Sequence, residues 1–547
     1  MPTVSEIRMH LTWHRVISKK LKIHCFFIFV CLRGYVFLNF FYWNHCIMNR
    51  REFMKTTASV AASSVMAPAL KSYAKTNRRI GIQTGAVSYV DEGERQVLDN
   101  VQELASVNTI FIPVFAYNRG LAGRAYLSGD EQFFAKTPDH GNVNFPSDYF
   151  HGGYYATSHM KYYKNTIFKE HRAPEFGDYD VLAAVLPEAK KRGLTTVAMM
   201  ADNFKSYVPN SKTLMQVDMN GNRRGTVCFN SPDFQGFLMG LIEDCVRSYD
   251  IDALLWRSEK TGPLMEVLGL SHSSGSSGNA GCFCQFCKAR AQEMGIDAKR
   301  ALTGYEELRT FIQNSVQGTR PVDGFYVTFW RILLRYPEIF QWQRLFQESL
   351  KDTYRSINNK VKSIQPNVPT GWGFSSQQIY SHMFRADADL KSLAGFTDFM
   401  KFYIYYNVGG PRSGKYVEKL GKTVMGDVPR DQLLQFVYRL MGYGDEGTFD
   451  DLVSQGYSAD YVLRETKRAL KGAEGTGIKI WPAIDVDLPS RRYWSDFDDY
   501  ALTRPESLKK AVKAVFRAGS DRILLARKYS EMHLTNLKAV GDALKEI

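Results

Sequence analysis

A chain of 547 residues, 44% hydrophobic and 13% aromatic, carries enough apolar side chain for a large buried core in one domain or two. Its formal charge of +14 is uneven: residues 1–75 hold eleven Lys and Arg against two Glu, which leaves about +5 (14 − 9) for the rest, and no basic block or RNA-binding signature marks nucleic acid as a partner. Of eight cysteines, five lie beyond residue 75, and three of these are spaced C-x-C-x-x-C, which is a poor disulfide framework.

At the N-terminus, residues 48–74 read MNRREFMKTTASVAASSVMAPALKSYA. Arg50 and Arg51 precede Phe53 and Lys55, then a mild Ala/Ser-rich apolar run, then small residues suited to cleavage near Ala69 or Ala74. The order resembles a bacterial twin-arginine export signal and implies a periplasmic or secreted product handled by the twin-arginine machinery. Met48 then reads as the initiator, with residues 1–47 an upstream over-extension of the frame. The aromatic run His24–Trp43 is long enough to span a membrane, but Arg33 in its middle costs roughly 2.5–3.5 kcal/mol, so no stable anchor is expected after cleavage.

From residue 78 to residue 547 short β-prone runs alternate with amphipathic helical stretches. The runs are Ile80–Thr84, Thr109–Tyr117, Leu194–Met200, Ile251–Trp256, Val368–Phe374, Phe399–Tyr406, Ile478–Val486 and Arg522–Ala526. Helical patterns fall at 94–106, 180–192, 233–248, broadly 284–364, 430–441, 457–472 and 505–517. Eight such alternations predict one (β/α)₈ TIM barrel with long insertions after strands 2 and 4. An open doubly wound sheet is the other α/β solution. Its dinucleotide-binding form lacks the G-x-G-x-x-G that would follow the first run.

In a barrel, function gathers where strands end. The fourth run delivers Trp256, Arg257 and Glu259. The fifth delivers Trp372, the sixth Tyr405 and Tyr406, the seventh Asp485 and Asp487, and the eighth Lys528 and Glu531. Aromatic faces stack on sugar C–H surfaces, and paired carboxylates cleave glycosides, so this face predicts a carbohydrate substrate. Glu259, Asp485, Asp487 and Glu531 are the catalytic candidates. Trp256, Arg257, Trp372, Tyr405, Tyr406 and Lys528 are the substrate-binding candidates. His151 and His159 lie in a Tyr-rich insertion and read either as surface or as substrate contacts. The Gly/Ser-rich loop 271–281 reads as a lid or as a plain connector. Cys245 sits on the apolar face of a helical pattern and reads as core.

The stretch from Glu259 through Cys282, Cys284 and Cys287 resembles glycoside hydrolase family 42, the β-galactosidases, and related barrel glycosidases. In that family a strand-4 carboxylate acting as acid/base precedes a C-x-C-x-x-C zinc cluster, and a fourth cysteine lies upstream in a pattern like R-R-x-x-C-x-x-S-P. Cys228-Phe229-Asn230-Ser231-Pro232 matches its second half, whereas three residues rather than two intervene between Arg223-Arg224 and Cys228. The resemblance covers roughly 220–375. It implies a structural Zn²⁺ held by Cys228, Cys282, Cys284 and Cys287, a closed site with no open position. It also implies Glu259 as general acid/base. Two departures stand out: Arg257-Ser258 replace the family's Asn before that Glu, and strand 7 offers Asp485 and Asp487 where the family has Glu. The expected function is therefore an exported O-glycoside hydrolase. The alternative is a glycan-binding barrel that has lost the catalytic pair.

Overall fold

The eight β-prone runs fold as eight parallel strands whose ends join. In the computed structural model they are β1 (Arg79–Gln83), β2 (Thr109–Tyr117), β3 (Thr195–Ala201), β4 (Ala253–Arg257), β5 (Thr370–Phe374), β6 (Phe399–Tyr403), β7 (Lys479–Asp485) and β8 (Arg522–Ala526). The structure describes residues 78–117, 152–202, 204, 208–270, 278–487 and 503–547, with Cys31–Leu32 and Tyr35–Val36. Each strand pairs with the next, and β8 closes on β1 from Arg522↔Arg79 to Leu525↔Ile82. This is the (β/α)₈ barrel. A short strand, Gly152–Tyr154, adds antiparallel to the end of β2.

Side-chain alternation sorts each strand into two faces. Phe111, Val197, Leu255, Phe399, Trp481, Ala483 and Leu524 form one apolar cluster, which fills the lumen. Leu254, Trp256, Trp372, Met400 and Ile523 belong to the larger cluster between strands and helices. Gly81 marks how full the lumen is: a Cβ there would lie 2.8 Å from Trp481 and 3.0 Å from Phe111. The surrounding helices include Glu94–Ala105, Val181–Lys191, Pro232–Ser248, Glu338–Ile364, Ala459–Gly472, Pro505–Arg517 and Leu534–Lys545. Pro232 at the first turn and the Ser231 hydroxyl accepting from Phe234 N fix the start of the third of these.

The broad helical region 284–364 is four helices: Gln285–Glu293, Ala298–Val316, Phe325–Arg335 and Glu338–Ile364. They break at Gly295, at the Gly318–Gly324 stretch and at Pro337, where chain reversal or a missing N–H ends a helix. The aromatics divide accordingly, with Phe329 and Trp342 buried and Trp330 and Phe340 exposed. Several elements were not read from the sequence, among them the last helix, Leu534–Lys545. A hairpin, Met215–Val217 with Arg223–Val227, occupies the polar loop after β3. A helix, Gly409–Gly421, follows β6, which ends at Tyr403 rather than Tyr406. Among the described residues no helix is long and apolar enough to cross a membrane. The proposed signal, residues 48–74, lies outside the described residues.

One buried titratable group makes a pH prediction. The His171 ring is fully buried, 4.1 Å from the Tyr163 ring and packed near Phe168 and Phe237. Burial pushes its pKa from 6.5 down to about 4. The folded value lies below the unfolded one, so between these pH values the unfolded chain binds the extra proton. Stability is then lost as pH falls through that window, by up to about 3 kcal/mol. Urea unfolding of His171→Phe between pH 7 and pH 4 should show a flatter loss than wild type; parallel curves would remove His171 as the cause.

Candidate functional site

Four thiols meet where the loops after β3 and β4 cross. Cys228 follows the hairpin, Cys282 and Cys284 end the long β4 loop, and Cys287 lies in the first turn of Gln285–Glu293. All four are buried and free, and their sulfurs lie within 4.8 Å of one another. Cys228 Sγ is 3.6 Å from Cys284 Sγ and 3.5 Å from Cys287 Sγ. Four sulfurs around a tetrahedral zinc at about 2.3 Å would stand about 3.8 Å apart, so the donor set fits that ion. Val217 N donates to Cys282 Sγ at 3.3 Å, and Asn230 Nδ2 to Cys287 Sγ at 3.3 Å, which orients both sulfurs. The Cys228 thiol donating to Cys284 holds the latter below the ordinary thiol range. Backbone bonds already join the same two loops: Met219 N to Ala280 O at 3.0 Å and Phe283 N to Val217 O at 2.7 Å. A metal held by these four sulfurs would clamp the hairpin to the β4 loop.

The segment carrying Glu259 is braced from two sides. Arg224 of the hairpin donates to Glu266 at 2.6 Å, tying the hairpin to the short helix Pro263–Val267. Gln343, on helix Glu338–Ile364, accepts from Leu264 N at 3.1 Å and donates to Thr261 O at 3.0 Å. Gly262, at φ +90°, lets the chain pass that amide: a Cβ would lie 2.5 Å from Gln343 Oε1. Phe283 stacks on Trp342 at 4.7 Å and 9°. Ser258, the residue before Glu259, donates to Asp202 at the end of β3 at 2.6 Å. It therefore pins two strand ends together. Burial pushes the Asp202 carboxyl up, against the pull of Lys260 and of Ser258.

The barrel mouth is cationic and aromatic. Arg257 at the end of β4 is buried, with Nη1 3.9 Å from Glu259 Oε1. Tyr405 is buried within electrostatic reach of Tyr403, Glu259, Arg527 and Arg257, and burial raises its phenol far above 10. Arg412 is buried on Gly409–Gly421, donates to Ser376 Oγ at 3.0 Å, and senses Arg527 and Glu259. Burial, and after it the like charge of Arg527, lowers its pKa. After β8, Glu531 lies 3.1 Å from Lys528 Nζ and 3.7 Å from Arg527 Nε. Lower in the lumen, the fully buried Lys401 donates to Gln83 Oε1, its ammonium 4.5 Å above the Tyr403 ring.

The two aspartates of strand 7 have other engagements. Asp485 is fully buried and accepts from Tyr406 N at 2.8 Å, Asn407 N at 3.2 Å and Val408 N at 2.7 Å. It holds the turn that leads from β6 into Gly409–Gly421. Burial pushes its pKa up while these three N–H donors oppose the rise. Asp487 accepts from His533 N at 2.8 Å and from Asn536 Nδ2 at 3.0 Å, which fixes the entry to the last helix. Asp485→Ala would leave three buried N–H groups without an acceptor and should cost about 3–5 kcal/mol in urea unfolding, with Asp485→Asn costing less. A loss below about 1 kcal/mol would contradict this holding role.

Three of the expected sugar platforms stand elsewhere. Trp256 is fully buried in the cluster between strands and helices. Trp372 stacks on Tyr354 at 4.3 Å and donates Nε1 to Thr397 Oγ1 at 2.6 Å. Tyr406 also joins that outer cluster. Strand parity gives the reason: these residues alternate with Arg257, Gly373 and Tyr405, so a position near a strand end does not make them line the mouth. Cys245 is buried in the core, and His159 pairs with Asp244 at 2.7 Å away from the mouth. His151 and residues 271–277 of the Gly/Ser loop lie outside the described residues. Arg412, Gln83 and Lys401 were missed. For Lys401 a signal existed: it sits at an inward position between Phe399 and Tyr403, where a lysine is out of place.

No family model matches the chain, and no curated protein matches it. Among solved structures it is similar to a β-galactosidase from the Antarctic haloarchaeon Halorubrum lacusprofundi, at 11% identity and TM-score 0.46, covering 86% of this chain and 58% of that one. It is also similar to the catalytic domain of a β-amylase from Paenibacillus polymyxa (14%, TM-score 0.42, 86% and 97%). A third is α-L-fucosidase isoenzyme 2 from Paenibacillus thiaminolyticus (12%, TM-score 0.44, 86% and 49%). The chain spans about half the length of that fucosidase. Likeness at this level carries no argument about activity; the barrel stands on its own strand pairing.

Proposed function

We propose that the barrel mouth acts on O-glycosidic bonds of a carbohydrate, with Glu259 as general acid/base. The observation that carries this reading is the placement of Glu259: it follows β4 on the functional face, in a segment braced by Arg224–Glu266 and by Gln343, beside Arg257 and within reach of Tyr405. A rigidly held carboxyl in a half-enclosed site is what proton delivery to a leaving oxygen requires. Glu531 is the second carboxylate in this proposal, because Asp485 and Asp487 are committed to backbone and to Asn536. The four cysteines hold a structural zinc, which supplies no chemistry and fixes the loop that carries Glu259. A twin-arginine signal exports the folded, metallated protein; metallation before export protects the thiolates from oxidation.

A second reading, glycan binding without turnover, draws support from the engagement of both strand-7 aspartates. Release of new reducing ends from a panel of oligosaccharides and aryl glycosides separates the two. Saturable binding with no release would favour the second.

A further inference from the structure

A narrow cavity of about 10 Å³, room for about one water, opens at the mouth between the ends of β1, β2 and β3. Gln83, Thr84, Pro113, Ala201, Arg257 and Lys528 are among its lining residues. Two of these carry positive charge, Lys528 being paired with Glu531 at 3.1 Å, and among the described lining residues there is no Asp or Glu. Arg257 is 6% exposed, and among the described residues its Nε has no hydrogen-bond partner. Its ion pair with Glu259, at 3.9 Å, is longer than the roughly 2.7–2.9 Å of a charge-assisted hydrogen bond. A guanidinium offers five N–H donors in a fixed fork, and burying them unmatched is unfavourable. Gln83 adds to the same bias. Its Oε1 accepts from the buried Lys401, which leaves the amide nitrogen, a donor, as its other polar atom.

We infer that the sugar taken by this site carries an anionic substituent, a carboxylate or a sulfate ester, held by Arg257 and Lys528 at the opening of this cavity. The inference rests on the glycosidic reading and names its substrate class. Both anions present oxygens that a guanidinium fork meets two at a time. A neutral hydroxyl satisfies one donor and leaves the charge. Arg257 also links the cavity to the chemistry. An anion that draws its guanidinium from Glu259, and brings a second negative charge, favours the protonated carboxyl, the form that delivers a proton to the leaving oxygen.

The test is binding, with turnover measured separately. The full chain is titrated with methyl glucuronide and methyl galacturonide, with the 6-sulfates of methyl glucoside and methyl galactoside, and with the neutral methyl glycosides. At least one anionic probe should bind with a Kd about tenfold or more below its neutral partner, and added salt should narrow the gap. Arg257→Met and Lys528→Met should each erase most of that preference. Arg257→Lys, which keeps the charge and loses the fork, should erase part of it and serves if the Met variant fails to fold. Preference for the uronides identifies a carboxylate, and preference for the sulfates a sulfate ester. Equal binding of charged and neutral probes, no binding of any anionic probe, or a preference that survives loss of Arg257 overturns the inference. Anion-selective binding without hydrolysis removes the hydrolytic reading alone. Hydrolysis of neutral glycosides without anion preference removes this inference alone.

Discussion

Removing the metal is expected to release the loops after β3 and β4 while the barrel stays folded. Freshly purified protein should carry one equivalent of zinc, and less than about half an equivalent would contradict the four-cysteine site. Structural zinc sites contribute roughly 10–16 kcal/mol in small zinc-finger peptides. Here the barrel has its own core, so the loss should fall on the hairpin 215–227 and on the segment 278–287 that the four sulfurs join. After chelation, or in Cys284→Ser, these segments should become sites of limited proteolysis, and turnover should fall with them because Arg224 and Glu266 no longer brace Glu259. Unchanged proteolysis and unchanged turnover in a zinc-free preparation would show that the cysteines do not clamp the loop.

The second large effect concerns the proposed acid/base, Glu259. Glu259→Gln keeps the shape of the side chain and removes its proton chemistry. It should lower kcat by about 10²–10⁴-fold, with little change in folding stability. Aryl glycosides with good leaving groups should lose less, because their departure needs less proton delivery. Glu531→Gln should also lower turnover, whereas Asp485→Asn should act mainly through stability, since its carboxylate serves the backbone of Tyr406–Val408. Equal turnover by wild type and Glu259→Gln would take Glu259 out of the mechanism.

The barrel was legible because its signal is repetitive. The β2 and β8 runs, TIFIPVFAY and RILLA, match their strands residue for residue, since a strand buried on both faces reads as a continuous apolar run. The cysteine cluster was legible through its spacing and its resemblance to a zinc-binding pattern. Orientation was harder. Trp256 and Arg257 are neighbours in sequence, yet one packs against the helices and the other lines the mouth, so a shift of one residue reverses the reading. Asp485 looks like a nucleophile at a strand end and is an acceptor for three backbone N–H groups; only the fold brings the β6 turn to it. Arg412 was hidden because its helix begins in NVGGPRSG, whose glycines and proline read as loop.

The most direct measurement is a crystal structure of Glu259→Gln with an oligosaccharide that wild type cleaves. The sugar should lie in the barrel mouth, with the scissile glycosidic oxygen within about 2.6–3.2 Å of the residue-259 amide and any anionic substituent on Arg257 and Lys528. An oligosaccharide bound on another face, or one whose glycosidic oxygen stands beyond hydrogen-bond reach of residue 259, would contradict this placement.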